Sequence, residues 1–202
     1  VALPDKELQT LSQRTKEKTH QSNNLLSHVQ SQDPDLLHRA LRENLQQGGL
    51  EQFVIETVAP LIKEIGDAWA FDNLPIYAEH QATQVIQRVL SQAISAIAAD
   101  RFNKQAVMTT IAGERHQLGL LMAEAIFTTR GIKTINLGTE TPLTEIPQAV
   151  HHYSADILAL SFSQIQSRSV VVESLQALCS QLPRGIQVIA GGQSIGQYKR
   201  LP

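Results

Sequence analysis

From Asp33 onward, apolar residues recur at helical spacing. Asp33-Pro34 reads as a helix start with proline in the first position, and Leu36, Leu37, Ala40 and Leu41 follow on one face until Gly48-Gly49 stops the element. Phe53, Val54, Thr57, Val58, Leu61, Ile62 and Ile65 mark a second helix, kinked at Pro60, with a change of direction near Gly66 and Trp69 after it. Leu74-Pro75-Ile76 leads into a long third helix through Ala78, Ala82, Val85, Ile86, Val89, Leu90, Ala93, Ile94 and Ile97. The pattern predicts a small helical bundle over residues 33–100. Residues 1–32 are polar, with weak periodicity from Leu8, Leu11, Leu25 and Leu26, and read as a linker or frayed helix.

After a polar connector the periodicity changes. Apolar runs short enough for buried strands (106–111, 133–137, 157–161 and 187–190) alternate with helical patterns at 116–130, about 142–152 and 168–181. Pro142 lies near the start of the middle helix. Such alternation predicts a doubly wound parallel sheet over residues 105–202, so the fold class is α/β, a helical bundle followed by a Rossmann-like domain. A domain of this kind normally adds another helix after its last strand, so the C-terminus is expected to be incomplete.

Composition narrows the function classes. The 202 residues are 42% hydrophobic, enough for two modest domains, and carry a formal net charge of −2. No clustered basic face marks a nucleic-acid footprint. No apolar run reaches the length of a membrane span and no signal peptide is visible, so a cytoplasmic location is expected. The one cysteine, Cys179, sits in a helical pattern and reads as a small buried hydrophobe. His151-His152 reads as a solvated helix end, and His20, His28 and His38 carry no pattern.

The chemistry concentrates at strand ends. Gly113-Glu114-Arg115-His116-Gln117-Leu118-Gly119 lies between a predicted strand and helix, which puts an imidazole where open parallel sheets bind ligands. Ser161-Phe162-Ser163 follows the third predicted strand and Gly191-Gly192 the fourth. A lone loop histidine is usually just solvated, and Gly-Gly is a common strand-to-helix turn. In this order and spacing, however, the set resembles the cobalamin-binding fingerprint: Asp-x-His-x-x-Gly, then Ser-x-Leu, then Gly-Gly. Glu114 stands where most of the family has Asp, keeping the carboxylate on one more methylene, and Ser163 stands where many have Leu. The resemblance implies that His116 is the lower axial cobalt ligand and that Glu114 orients its other ring nitrogen. It implies that Gly119 lets the loop pass near the corrin. Ser161, Ser163, Gly191 and Gly192 would line a slot for the displaced nucleotide tail.

The helical half separates relatives. Trp69 and, ten residues later, Glu79-His80 resemble the Trp-x9-Glu-His pattern of the CarH/LitR group of MerR-type light-responsive regulators. Taken singly, a tryptophan between helices is most often core and a Glu-His pair at a helix start is commonly surface. The resemblance implies instead that Trp69 covers an adenosyl ligand and that Glu79 and His80 line the same pocket, so the cofactor would be adenosylcobalamin. A flat indole suits stacking on adenine, and a carboxylate suits ribose hydroxyls. In the photoreceptor pattern a His follows the Trp; here that position is Ala70.

The first hypothesis is therefore a sensory domain, not an enzyme. It would form a homo-oligomer, by resemblance a tetramer in the dark, and act on DNA through a separate N-terminal domain. The start at Val1-Ala2-Leu3-Pro4-Asp5, without Met, and the linker-like opening agree with a piece of a longer protein. The second is a corrinoid carrier of a methyltransferase system, against which Trp69, Glu79 and His80 argue, because a methyl ligand needs no adenosine pocket. A doubly wound domain that has lost its cofactor is the third. An isomerase would need a substrate domain that this length does not leave room for.

Overall fold

The computed structural model describes residues 25–97 and 103–196. The chain divides into two compact units, the first running to Gln92 and the second from Ala93. The expectations placed on residues 1–24, 98–102 and 197–202 lie outside the described residues.

In the first unit, residues 25–30 are helical, and Leu25 and Val29 within the expected linker are buried. Helix α1 (Pro34–Phe53) starts as its sequence dictates: the Asp33 carboxylate accepts from the amides of Asp35 and Leu36, and Pro34 occupies the first turn. Helical geometry breaks at Gly49, whose φ of 72° L side chains rarely adopt, but the chain re-enters a helix to Phe53 rather than ending at Gly48-Gly49. Val54–Val58 then forms a π-helical turn before α2 (Ala59–Ala70). Pro60 has no N–H with which to continue the α ladder, so wider hydrogen bonding precedes it. Gly66 lies inside α2, and the chain turns only after Ala70, because nothing at Gly66 interrupts the helix and its amphipathic face continues. Helix α3 (Ile76–Ser95) buries Ala78, Ala82, Val85, Ile86, Val89 and Leu90, an apolar stripe at helical spacing. Its fully buried Ile86 and Leu90 join Leu41, Val58 and Leu61 in the unit's core, each contributing about 1.5–3 kcal/mol by leaving water.

The second unit is a four-stranded, all-parallel sheet in the order β2-β1-β3-β4. Its elements are β1 (Lys104–Thr109), α4 (Leu118–Thr129), β2 (Ile132–Asn136), α5 (Ile146–His152), β3 (Ile157–Ser161), α6 (Arg168–Gln181), β4 (Gln187–Gly191) and the short α7 (Gln193–Gly196). Strand residues alternate between two cores. Val107, Leu158 and Leu160 pack with Ile146, Val150, Val171 and Leu178 of α5 and α6, whereas Ala106, Met108, Ile157 and Ala159 pack with Leu120 of α4. Helices therefore cover both faces, which is why the strands read as apolar runs rather than alternating ones.

Several boundaries move. The regular part of β1 ends at Thr109 rather than 111, although Ile111 still bridges Thr141. Helix α4 begins at Leu118, since residues 112–117 form the loop that carries Glu114 and His116. The turn at Pro142 takes the amides of Glu145 and Ile146 onto its carbonyl, and Pro147 is the proline of the first turn of α5. Cys179 is exposed, not buried. The inward stripe of α6 runs through Val171, Ser174 and Leu178, and the next residue is rotated about 100° away from it.

Candidate functional site

Strand order decides where a site can form. From β1 the chain moves outward to β2, then returns past β1 to β3 and β4, so the loops after β1 and β3 diverge at a topological switch point. Glu114 and His116 lie on the first of these loops and Ser163 on the second.

The Glu114 side chain is 1% exposed, in a loop otherwise open to solvent. Both oxygens are used. Oε1 accepts from His116 Nδ1 at 2.7 Å and from the His116 amide at 3.0 Å, and Oε2 accepts from the Ser163 amide at 2.8 Å. One carboxylate thus joins the β1 and β3 loops across the switch point. Burial pushes its pKa up, but the hydrogen bonds from Ser163 and His116 outweigh that and hold the carboxyl below its ordinary value of 4.5. An ionised carboxylate can only accept, so Nδ1 carries the hydrogen, and Nε2 is the nitrogen left for a ligand. The His116 side chain is 56% exposed, which leaves Nε2 open to a ligand.

The remaining sheet-unit residues gather beside this pair. A Cβ on Gly119 would stand 2.8 Å from Ser161 Oγ, so only glycine lets the first turn of α4 approach the end of β3 this closely. Ser161 pairs with Gly191 across β3 and β4, and the space over Gly191 is open. Gly192 has φ 105°, and a Cβ there would meet the Phe162 carbonyl oxygen at 2.2 Å. Its glycine serves the turn. Ser163 uses its amide on Glu114, and its Oγ accepts from the Ile165 amide at 3.3 Å.

In the helical unit, Trp69 lies in the last turn of α2, 51% exposed, rather than between helices. Glu79 and His80 open α3. Glu79 Oε1 accepts from Thr83 Oγ1 at 2.9 Å, and Glu79 Oε2 lies 3.5 Å from His80 Nε2. No side-chain hydrogen bond or ring contact joins Trp69 to this pair among the described residues.

Sequence reasoning missed a set of groups around the site. The buried Thr110 hydroxyl donates to the Glu114 carbonyl at 2.6 Å and accepts from the Glu140 amide at 2.9 Å. Arg115 Nε lies 3.2 Å from Glu140 Oε2. The visible signal was Thr109-Thr110 at a strand end, but no local pattern names a partner 30 residues on. His151 and His152 are exposed, and no group of three or more metal-binding side chains occurs among the described residues.

The donor set and the glycine-lined approach fit a corrinoid. A carboxylate-held imidazole offers its second ring nitrogen, and the small residues Ser161 and Gly191 sit side by side at the strand ends with open space over Gly191. Residues 21–94 match the B12 binding domain family. The chain is 28% identical over 144 residues to the HTH-type transcriptional repressor CarH of Myxococcus xanthus, covering 71% of this chain and 48% of that protein. It is 26% identical over 170 residues to the repressor CarA of the same organism, covering 82% of this chain and 56% of that one.

The chain is thus similar to these two repressors, and its residues 21–94 match a B12 binding domain.

It spans about half the length of CarH and CarA. The fold is also that of the Methanosarcina barkeri monomethylamine corrinoid protein, with a TM-score of 0.65 at 15% identity, covering 85% of this chain and 83% of that one. No helix among the described residues is long and apolar enough to cross a membrane.

Proposed function

We propose that this B12-binding chain is the adenosylcobalamin-binding sensory part of a light-responsive transcriptional regulator. The observation that carries the reading is the buried Glu114 carboxylate, held by the Ser163 amide and bonded to His116 Nδ1, which leaves one imidazole nitrogen for cobalt. When bound, the cofactor would supply a cobalt–carbon bond that light can break. The residues' tasks follow from their chemistry. His116 would hold the cobalt, and Glu114 would fix its tautomer and raise its basicity. Gly119 and Gly191 keep side chains out of the path of the nucleotide tail, and Gly192 holds the turn beyond it. Ser161 and Ser163 border that path.

On the helical unit, the exposed indole of Trp69 would stack on the adenosyl group. Glu79 and His80 would meet its sugar. Ala70 has no ligating group, so an imidazole for the upper position would have to come from elsewhere, His80 being the candidate. The ligand then biases a two-state element and catalyses nothing. The chain would act as a homo-oligomer, reach DNA through a further domain and work beside the DNA in the cytoplasm. Homology to CarH and CarA supports this reading.

Size-exclusion chromatography of protein mixed with adenosylcobalamin, in the dark and after green light, tests it. A corrin spectrum that co-elutes with a large species and a smaller species after illumination are expected. Binding with no change of size removes the light-sensing part, and no co-elution removes the cobalamin reading.

A corrinoid carrier of a methyltransferase system is the second reading. The sheet-unit site would serve a methyl carrier equally, and Ala70, where the photoreceptor pattern has His, favours it. Equal affinity for methyl- and adenosylcobalamin would support the carrier.

A further inference from the structure

A third strand-end loop reaches the backbone that carries Glu114. The third is the β2–α5 connection, which lies outside every motif residue. Glu140 there adopts φ 61°, a left-handed conformation that a side chain rarely takes and that must be held by its surroundings. The holding contacts all lead back to the β1 end. The Glu140 amide donates to Thr110 Oγ1 at 2.9 Å, and the Thr141 amide donates to the Thr110 carbonyl at 3.0 Å. Thr109 Oγ1 meets Thr141 Oγ1 at 2.6 Å and donates to the Gly138 carbonyl at 2.9 Å. Thr110 Oγ1 passes its own hydrogen to the Glu114 carbonyl at 2.6 Å. Beyond Glu114, Arg115 pairs with the Glu140 carboxylate at 3.2 Å.

We propose that Thr110 is a positioning residue: its hydroxyl ties the Glu140 amide to the Glu114 carbonyl, so the β2–α5 loop fixes the backbone from which Glu114 aims the His116 imidazole. Thr110 is fully buried, and its hydroxyl donates one hydrogen bond and accepts one. A valine of the same shape removes both bonds and leaves the Glu140 amide and the Glu114 carbonyl facing a methyl group. A serine keeps both. The Arg115–Glu140 pair is largely solvent-exposed and adds little, so the hydroxyl bridge is the operative link. The part of the proposal that concerns cobalt rests on the cobalamin reading; the part that concerns the Glu114–His116 contact does not.

Two measurements on the whole chain test it. The first is electron paramagnetic resonance of cobalamin reduced to cobalt(II) and bound to nitrogen-15-labelled wild type, Thr110→Val and Thr110→Ser, in which a protein imidazole gives a doublet and the cofactor's own base a triplet. Loss of the imidazole nitrogen splitting in Thr110→Val, with rescue in Thr110→Ser, is expected. The same imidazole splitting in wild type and Thr110→Val overturns the proposal. The second needs no cofactor: hydrogen exchange of the His116 amide, which donates to Glu114 Oε1 at 3.0 Å. Exchange about tenfold faster in Thr110→Val but not in Thr110→Ser is expected, and unchanged exchange overturns the tether. A wild type without imidazole splitting would remove the cobalamin ligand and leave the tether to be decided by exchange. Should the valine variant not fold, Thr110→Ala drops the hydroxyl without opposing a methyl to its partners and carries the same comparison.

Discussion

The two units present their candidate ligand-binding residues in opposite ways. In the sheet unit, His116 is aimed by a buried carboxylate that accepts three hydrogen bonds, two from its own loop and one from the β3 loop. In the helical unit, Trp69 is half exposed and Glu79 and His80 rely on one side-chain hydrogen bond and one loose 3.5 Å contact within their own helix. A metal ligand must be held to a fraction of an ångström before the metal arrives, and buried charge-assisted hydrogen bonds do that. A stacking surface needs only to be flat, apolar and accessible. On the proposed reading, the sheet unit would carry its specificity in preorganisation, and the helical unit in exposed surface that a ligand would cover.

That contrast can be broken by mutation, beginning with the largest effect. Glu114→Gln should weaken cobalamin affinity by about 10- to 100-fold, as expected for a group that orients a metal-ligating histidine. It should also destabilise the ligand-free chain by about 1–3 kcal/mol near neutral pH, measured by chemical denaturation. Because the folded-state pKa of Glu114 is lowered, its ionised form contributes stability that is fully present above its ordinary value of 4.5. That contribution is lost as pH falls through the lowered value, so the gap between wild type and variant should close in acid. A gap that widened in acid would contradict the assigned direction.

Trp69→Ala should do the reverse. Stability should change little for a half-exposed side chain, by about 1 kcal/mol or less, while adenosylcobalamin affinity falls about tenfold through lost stacking. Affinity for methylcobalamin should hold. Equal losses for the two cobalamins would show that Trp69 packs the bundle rather than covering an adenosyl group. The smallest effect on the fold should come from Gly191→Ala. No atom lies within 4 Å of the added methyl, so stability should move by under about 1 kcal/mol. Any severalfold loss of cobalamin affinity would then report the tail slot itself, and an unchanged affinity would place the tail elsewhere.

The sequence was most legible where one physical rule acts alone. Apolar runs and helical periodicity located all four strands and the main helices, because burial on both sheet faces leaves nothing ambiguous in Ile157–Ser161 or in the stripe along Ile76–Ser95. Boundaries slipped where loop chemistry competes with periodicity. Residues 112–117 continue an apolar-to-polar pattern, yet the Glu114 carboxylate binds the His116 amide and keeps that stretch out of α4. The motif residues Glu114, His116 and Ser163 were nameable in advance. Thr110 and Glu140 were not, because strand order, which brings residue 140 to residue 110, is not written in any local spacing. Cys179 shows the limit of periodicity itself: one residue beyond a buried leucine was enough to turn it outward.

The central claim is that the imidazole held by Glu114 is the cobalt ligand. The most direct measurement is electron paramagnetic resonance of cobalt(II) cobalamin bound to protein uniformly labelled with nitrogen-15, using cofactor at natural abundance. If His116 ligates, the nitrogen splitting becomes a doublet and disappears in His116→Ala. A triplet, the mark of the cofactor's own unlabelled base, would contradict the account.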